Sequence, residues 1–487
     1  MTERNIPRLT EVKWSRRCSV NLYRNLKLPL WQTSFFKDWI NDANGDPYPL
    51  MGSDGEASES VGEGRYTVRT GVGETVCRLL GSHFPFATYE LEFSRLEGCS
   101  VGIRLSGGAP CEIEFGGDRV RVFTEEGEQS FLTERCEAGT LAVSFRTDGV
   151  SVYLNRDGFD KRVCDVDAPS LSEYRKESVL HGAKTLLTVR GEDGGVCVLR
   201  RIESFISSGI SQADLRPVKY EDGEVMVESG RVLFTATARC EKLSYQIVLS
   251  LNPTLCDFRL EGAMFYSYGD GVIHGDVAPS LIYDRCAGIW RIRVWSRAHG
   301  HILAYADSFA DPRYGINIID AELMDKAQEG AERTEFLAFE GDEDPEMILA
   351  DGVWHLAICR LDENRKYHYF HYTSDRPDGG FRFADMIPGL EKTGGSFVKA
   401  PEGVYFVCGS DFDKRSVYDI YPLNDFSAAP KAPQTDYPDG GFRGWGSMFL
   451  YSTGSRKRYL WVTFDRHGGS SFRWSYGNIY IFESESF

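Results

Sequence analysis

Short segments in which apolar and polar residues alternate run through the first part of the chain. Residues 87–93 (Ala-Thr-Tyr-Glu-Leu-Glu-Phe), 119–123 (Arg-Val-Arg-Val-Phe) and 149–154 (Gly-Val-Ser-Val-Tyr-Leu) have a period of two. This alternation is typical of β-strands with one buried face and one solvated face. About ten such segments between residues 64 and 206 predict a β-sandwich, to which we assign residues 1–206.

A longer pattern repeats after residue 206. Each unit has a short apolar strand, a tight turn, a strongly aromatic strand and a third strand. The five units open at Asp214, Asp276, Glu343, Gly394 and Trp445, at intervals of 62, 67, 51 and 51 residues. Regular repeats of this length predict propeller blades. The sequence therefore predicts an all-β chain in which residues 207–487 form a five-bladed β-propeller.

Composition and charge limit the classes of molecule that the protein is expected to bind. The 487 residues exceed what one hydrophobic core usually organises, which agrees with two domains. A formal net charge of −17 without a basic stripe disfavours nucleic acid and anionic membranes as partners. Aromatic residues make up 13 % of the chain, and aromatic faces can stack on the apolar faces of sugar rings. We therefore expect an oligosaccharide partner.

The N-terminal residues lack the basic-then-apolar pattern of a signal peptide, and no apolar run reaches 18 residues. These features predict a cytoplasmic protein that does not span a membrane. The twelve cysteines, from Cys18 to Cys408, form no C-x-x-C pair. We expect reduced, mostly buried thiols and no metal site. Phosphate-binding, dinucleotide-binding and α/β-hydrolase motifs are also absent from the sequence.

The unit openings suggest where the chemistry lies. In a propeller the first strand of each blade lines the central axis, so the openings converge on one funnel. Three of the five openings carry an acid, namely Asp214, Asp276 and Glu343. Glycosidic bond cleavage needs one protonated carboxyl group to assist the leaving oxygen and one carboxylate to activate water or attack the sugar. Their separation, which decides between inversion and retention, is not fixed by the sequence.

The repeat resembles the five-bladed glycoside hydrolases of families 43, 32, 117 and 130, and the first domain resembles concanavalin-like jelly rolls in pattern. In family 43 an Asp opens blade one, an Asp opens blade two and a Glu opens blade three. The resemblance implies that Asp214 is the general base and Glu343 the general acid. It also implies that Asp276 orients the acid and tunes its pKa.

The chain departs from the family pattern at two openings. Blade two has Ala278-Pro279 where the family usually has Asp-Pro, and Asp214 is followed by Leu rather than Pro. Blade three reads Glu343-Asp344-Pro345, so that Asp344 is an alternative acid.

Further residues are candidates for binding substrate. His274 lies two residues before Asp276, and glycines around Arg443 and Trp445 allow a close approach of the backbone to a ligand. The predicted substrate-binding residues are His274, Arg216, Asp344, Arg443, Trp445 and His467.

Together these features predict an exo-acting glycoside hydrolase for short oligosaccharides, with arabinofuranosides suggested by the family resemblance. A glycoside phosphorylase, in which Arg216 or Arg443 holds phosphate, a polysaccharide lyase and a non-catalytic sugar-binding protein stay open. No cofactor is expected, although the resemblance leaves room for an axial divalent ion such as calcium. The sandwich is expected to pack on the propeller and to supply either a loop to the site or a homo-oligomer interface.

Overall fold

A computed structural model describes most of the chain in two β-rich parts. The described residues are 7–33, 50–54, 57–156, 158–240, 242–324, 341–362, 364, 366–388, 391–410, 417–433, 442–453, 456–465 and 477–487. The predicted all-β class is confirmed, with a sandwich followed by a five-bladed propeller. Helical structure in these ranges is limited to short 3₁₀ segments at Leu9–Glu11 and Pro169–Arg175 and helix α1 (Glu177–Leu180).

One strand precedes the sandwich and thirteen strands form it. They are β1 (Ser15–Val20), then β2 (Lys27–Thr33), β3 (Leu50–Asp54), β4 (Ser58–Gly62), β5 (Arg65–Thr70), β6 (Thr75–Ser82), β7 (Thr88–Ser106), β8 (Cys111–Gly116), β9 (Arg119–Thr124), β10 (Gly127–Leu132), β11 (Gly139–Arg146), β12 (Gly149–Arg156), β13 (Phe159–Asp167) and β14 (Lys184–Ser207).

Two long strands, β7 and β14, belong to both layers of the sandwich. Their first and second halves pair with different further strands. The ladder that joins β7 to β14 is interrupted between Gly191 and Val196. Opposite this break, Gly98 has φ +61°, and a Cβ there would lie 2.6 Å from the carbonyl oxygen of Gly194. The bend therefore needs glycine. Alternate side chains such as Leu91 and Val101 fill the core between the layers.

The described residues of the second part form twenty-two strands. They are β15 (Ser211–Pro217), β16 (Lys219–Tyr220), β17 (Val227–Glu228), β18 (Arg231–Arg239), β19 (Ser244–Asn252), β20 (Asp257–Ser267), β21 (Ile273–His274), β22 (Val277–Asp284), β23 (Ile289–Ser296), β24 (Ile302–Ser308), β25 (Gly315–Asp320), β26 (Glu322–Leu323), β27 (Glu343–Ala350), β28 (Val353–Leu361), β29 (Tyr367–Ser374), β30 (Arg382–Met386), β31 (Thr393–Ala400), β32 (Gly403–Ser410), β33 (Val417–Pro422), β34 (Phe442–Thr453), β35 (Arg456–Asp465) and β36 (Ile479–Glu483).

These strands form five sheets around a common axis. The innermost strands are β15, β22, β27, β31 and β34, one from each predicted unit; in blade two the short β16 also pairs along the inner side of β22. Each contacts the next, and β34 contacts β15, which closes the ring. A hydrogen bond of 3.0 Å from the Ser447 hydroxyl to the Leu215 carbonyl joins blade five to blade one. The closed ring brings all five openings to one end of the axis.

The N-terminal strand completes the last blade. Strand β1 pairs antiparallel with β36, so the sheet of blade five runs β34-β35-β36-β1. Arg17 on β1 pairs with Glu483 on β36 at 3.0 Å. Residues 1–206 were expected to form the sandwich, but residues 15–20 lie in the propeller. The repeat pattern does not reveal this pairing, because the partner strand of β1 is more than 450 residues away in the sequence.

A disulfide also joins the two ends of the ring. Cys18 on β1 is bonded to Cys256, which lies between β19 and β20 of blade one. The expectation that all cysteines are reduced is therefore wrong for this pair. Most of the other cysteines are buried free thiols, as expected. The pair was hidden in the sequence because 238 positions separate its members.

The sandwich packs on blade one. Phe86 stacks on Phe265 of β20 with ring centroids 4.6 Å apart, and Phe84 packs edge-to-face against the same ring at 5.0 Å. The backbone nitrogen of Glu177 in α1 donates a hydrogen bond to the Gly271 carbonyl at 2.9 Å. The sandwich thus supports the loop between β20 and β22. Within the described ranges, no helix has the length and apolar character needed to cross a bilayer.

Candidate active site

A β-bulge interrupts every innermost strand at its opening. The ladders of β15, β22, β27, β31 and β34 each shift register there. In the first four blades one bulge residue has a positive φ of 50–62°. Those residues are Asp214, Ala278, Asp344 and Gly394. Bulges of this kind re-aim side chains and are frequent near active sites.

The bulge positions show which residues of the five units are equivalent, and they differ from the alignment expected from the sequence. Ala278, not Asp276, is the blade-two counterpart of Asp214, and Asp344, not Glu343, is the counterpart in blade three. The sequence contained a signal for this register, since a proline follows both Ala278 and Asp344. An alanine at the second bulge leaves that position of the funnel without a carboxylate.

Asp214 presents a partly exposed carboxylate at the opening of blade one. Its side chain is 18 % exposed. The Thr237 hydroxyl donates to its Oδ2 at 2.6 Å, and an Arg239 nitrogen lies 3.8 Å from the same oxygen. Thr237 Oγ1 also accepts a hydrogen bond from the Ala278 amide at 3.0 Å. These contacts fix Asp214 and join blade one to blade two.

Glu343 faces the same region from blade three and is half-buried. Burial, with a smaller contribution from the neighbouring carboxylates of Asp344 and Asp214, raises its pKa to about 8. The Tyr367 hydroxyl donates to Glu343 Oε1 at 2.8 Å and opposes the shift. Glu343 is therefore largely protonated at neutral pH. The electrostatic effect of Asp214 on Glu343 shows that the structure brings these two predicted residues together.

Asp344 and Arg216 lie deeper on the axis. An Arg216 nitrogen is 3.2 Å from Asp344 Oδ1, and Arg216 also donates to the carbonyls of Ala278 and Pro345 at 3.3 and 3.0 Å. The Gly394 amide donates to Asp344 Oδ2 at 3.0 Å. The Arg216 side chain is only 4 % exposed. Together, the contacts of these two predicted binding residues join four blades at the axis.

A second buried cation lies below this group. Lys219 Nζ is 2.6 Å from Glu346 Oε1 and donates to the Phe397 carbonyl at 2.7 Å. Lys219 on β16 is thus bonded to blade three through the Glu346 carboxylate and to blade four through the Phe397 carbonyl. The axial carboxylates Asp344 and Glu346 have protein cations as counter-ions, which is the neutralisation that an axial calcium ion would otherwise supply.

Asp276 lies in a neighbouring contact network. Its carboxylate accepts hydrogen bonds from the Tyr268 hydroxyl at 2.5 Å and from the Arg297 amide at 3.1 Å. Burial raises its pKa. The Arg297 guanidinium interacts electrostatically with both Asp276 and Arg239, and Arg239 is the ion-pair partner of Asp214. Asp276 is thus connected to the Asp214–Glu343 pair through two arginines.

The remaining predicted binding residues have different positions. His274 is buried at the opening of blade two, and its Nε2 is 2.8 Å from Asp270 Oδ2. Trp445 is buried against Gly394, where a Cβ would lie 2.7 Å from the indole. Arg443 is in β34, but its side chain is outside the described part of the structure, as is the whole of His467. Their predicted roles are untested.

Four residues of the site were not predicted from the sequence. Thr237 and Tyr367 lie on the second and third strands of their blades, and Arg239 and Arg297 end or follow second strands. The residues Thr237, Tyr367, Arg239 and Arg297 belong to no motif. Only the folding of blades one, two and three around one axis brings them to the carboxylates.

No protein-family model matches the sequence, and no curated protein matches it. The fold is similar to several solved structures. The α-L-arabinofuranosidase PaAbf62A from Podospora anserina, in complex with cellotriose, has 9 % identity and a TM-score of 0.37, covering 56 % of this chain and 91 % of its own. Zg3597, a family 117 glycoside hydrolase from Zobellia galactanivorans, has 15 % identity and a TM-score of 0.35, covering 56 % and 84 %. The carbohydrate-binding module CBM66 from Bacillus subtilis has 13 % identity and a TM-score of 0.23, covering 32 % and 96 %.

Proposed function

We propose that this protein is a glycoside hydrolase in which Glu343 is the general acid and Asp214 the general base or nucleophile. Glu343 transfers its proton to the glycosidic oxygen while the bond to the anomeric carbon breaks. Asp214 either takes a proton from the attacking water or attacks the anomeric carbon itself. Both routes need one protonated and one ionised carboxyl group at the same place.

The observation that carries this proposal is the different environment of two neighbouring carboxyl groups. Burial, together with the nearby carboxylates of Asp344 and Asp214, raises the pKa of Glu343 to about 8. Asp214 instead accepts a hydrogen bond from Thr237 and lies beside the cationic Arg239. Environments that separate the protonation states of two carboxyl groups are the mark of an acid–base pair.

The third predicted acid has a supporting part in this proposal. Asp276 holds the backbone of Arg297 and the hydroxyl of Tyr268. We assign it as a positioning residue for Arg297. Asp344, which pairs with the buried Arg216, is assigned to the stability of the axis rather than to proton transfer.

Short oligosaccharides are the proposed substrates, and the resemblance to family 43 makes α-L-arabinofuranosides the first to test. A panel of 4-nitrophenyl glycosides and short arabino- and xylo-oligosaccharides tests the proposal. We expect turnover of at least one compound and its loss in Glu343→Gln and Asp214→Asn, with unchanged circular dichroism spectra. Binding of a sugar without cleavage by the wild type would instead identify a sugar-binding protein. Equal turnover by wild type and both variants would contradict the assignment.

A glycoside phosphorylase is the second candidate. Arg239 lies 3.8 Å from Asp214, and the guanidinium of Arg297 is close enough to Arg239 to interact with it. Two arginines beside the catalytic pair suit a phosphate nucleophile. Release of a sugar 1-phosphate that depends on added phosphate would favour this candidate. A rate that is independent of phosphate would favour the hydrolase.

A further inference from the structure

Two histidines and an aspartate meet beside blade two. Their potential ligand atoms all lie within 4.8 Å of one another, and this is the only such group of three among the described residues. Nε2 of His274 is 2.8 Å from Asp270 Oδ2, and Nε2 of His299 is 3.7 Å from the same oxygen. Ligands on a tetrahedral zinc ion with bonds of about 2.0–2.1 Å lie roughly 3.3 Å apart. The observed separations bracket that value.

In Asp270 and His299, the atoms that do not face the centre of the cluster are held by the protein. Asp270 Oδ1 accepts a hydrogen bond from the Val272 amide at 3.1 Å. Nδ1 of His299 is 3.1 Å from the Ser296 hydroxyl. Partners of this kind fix the orientation of metal-binding side chains in known sites. They leave Asp270 Oδ2 and the Nε2 atom of His299 directed at the cluster.

His274 provides an independent observation. Its imidazole is 8 % exposed. Nε2 faces Asp270, and Nδ1 has no hydrogen-bond partner within the described structure. A buried imidazole that is only half satisfied by protein groups is costly. The Nε2 atom of this buried ring is the one that faces Asp270 Oδ2 and the cluster.

The loop that carries Asp270 is held by the sandwich. The Glu177 amide donates to the Gly271 carbonyl at 2.9 Å, and the Ser267 hydroxyl donates to the Glu177 carboxylate at 2.9 Å. Lys176 forms an isolated β-bridge with Val272. The cluster is therefore built on a supported loop, as a preorganised binding site requires.

We propose that Asp270, His274 and His299 bind a divalent transition metal ion of the zinc class, with one coordination position open. Two imidazoles and one carboxylate suit zinc better than calcium or magnesium, which prefer all-oxygen ligands. The ion joins the loop before β21 to the turn after β23. The same two segments hold Asp276 through Tyr268 and Arg297. The proposal does not depend on the glycosidase assignment.

Zinc binding to the untagged full-length protein tests this site. After treatment with EDTA, we expect isothermal titration calorimetry with ZnCl₂ to give one equivalent per chain, with a higher melting temperature in the presence of zinc. Cobalt(II) should give the visible absorption of a low-coordinate site. Asp270→Asn and His299→Ala should weaken zinc binding by at least about 100-fold. Both residues are partly exposed, so that the variants are expected to fold.

Asp362→Asn is the matched control, because Asp362 pairs with His368 at 3.2 Å in blade three. This variant should bind zinc as the wild type does. Circular dichroism separates loss of binding from loss of folding. Absence of stoichiometric zinc binding by the folded wild type, or unchanged binding in both cluster variants, would overturn the proposal. Neither result would bear on glycoside turnover, which is measured separately.

Discussion

The hydroxyl of Tyr367 donates a hydrogen bond to Glu343 Oε1 at 2.8 Å. This contact stabilises the ionised form of Glu343 and lowers its pKa, while burial and the nearby carboxylates of Asp344 and Asp214 raise it. The balance leaves the pKa at about 8. A general acid acts in its protonated form, so activity should fall as pH rises through this value. We expect kcat/KM to have an alkaline limb centred near pH 8.

Tyr367→Phe removes the hydrogen bond that opposes the shift, while the smaller opposing effect of Arg239 is kept. The pKa of Glu343 should then rise, and the alkaline limb should move upward by on the order of one pH unit. Tyr305→Phe is the control, because Tyr305 makes a similar hydrogen bond of 2.6 Å to Glu322 in blade two. Its pH profile should match the wild type. A downward shift in Tyr367→Phe would contradict the assignment of Glu343 as the acid.

The raised pKa of Glu343 also predicts how stability depends on pH. The unfolded carboxyl group has a pKa near 4.5 and the folded one near 8. Between these values the folded protein holds a proton that the unfolded chain has lost. The stabilising contribution is therefore complete below the unfolded pKa and is lost as pH rises through 8.

Glu343→Gln removes this titration. Relative to the variant, the free energy of unfolding of the wild type should fall between pH 5 and 8, by up to about 1.4 kcal/mol per pH unit. Urea unfolding at several pH values measures the difference. A constant difference across this range would show that the pKa of Glu343 is close to its ordinary value.

Arg216 is predicted to stabilise the axis. Arg216→Met leaves the buried Asp344 carboxylate without its cation, and loss of one partner from a buried pair costs about 3–5 kcal/mol. Adding Asp344→Asn should restore part of the loss. Arg95→Ala is the control, because Arg95 pairs with Glu97 on the exposed surface, where water screens the interaction and such pairs contribute little to stability. Equal effects of Arg216→Met and Arg95→Ala in denaturant titrations would contradict this role.

The disulfide between Cys18 and Cys256 is predicted to stabilise the ring closure. Cys18→Ser should lower the free energy of unfolding by about 2–5 kcal/mol under oxidising conditions. Dithiothreitol should bring the wild type to the level of the variant and leave the variant unchanged. Cys286→Ser removes an exposed free thiol and serves as the control. If dithiothreitol lowers the stability of the wild type and of Cys18→Ser equally, the disulfide does not stabilise the ring closure.

The sequence predicted the repeat but not its register at every blade. Alternation and aromatic strands identified all five units, and Asp214 coincides with the bulge residue of blade one. In blade two the predicted opening, Asp276, lies two residues before the bulge residue Ala278, and in blade three Glu343 lies one residue before Asp344, because the alignment of the units was based on acidic residues. Because the bulge residue of blade two is Ala278, an alignment based on acidic residues selects Asp276 instead.

Other parts of the site depend on contacts that no local pattern contains. Arg216 was predicted to bind substrate, but its side chain is buried between three blades. The position of Tyr367 depends on the pairing of β28 with β29. The pairing of β1 with β36 and the bond to Cys256 depend on closure of the whole ring. Long-range topology therefore decides which residues meet.

The dependence of turnover on the leaving group tests the two carboxylate roles most directly. For a sugar that the wild type cleaves, kcat/KM is compared for the oligosaccharide and the 2,4-dinitrophenyl glycoside, whose leaving group needs little protonation. We predict that Glu343→Gln loses about 10²–10⁴-fold on the oligosaccharide but keeps most activity on the dinitrophenyl substrate. Asp214→Asn should lose activity on both substrates. Equal losses of Glu343→Gln on both substrates, or full activity of either variant on the oligosaccharide, would contradict the account.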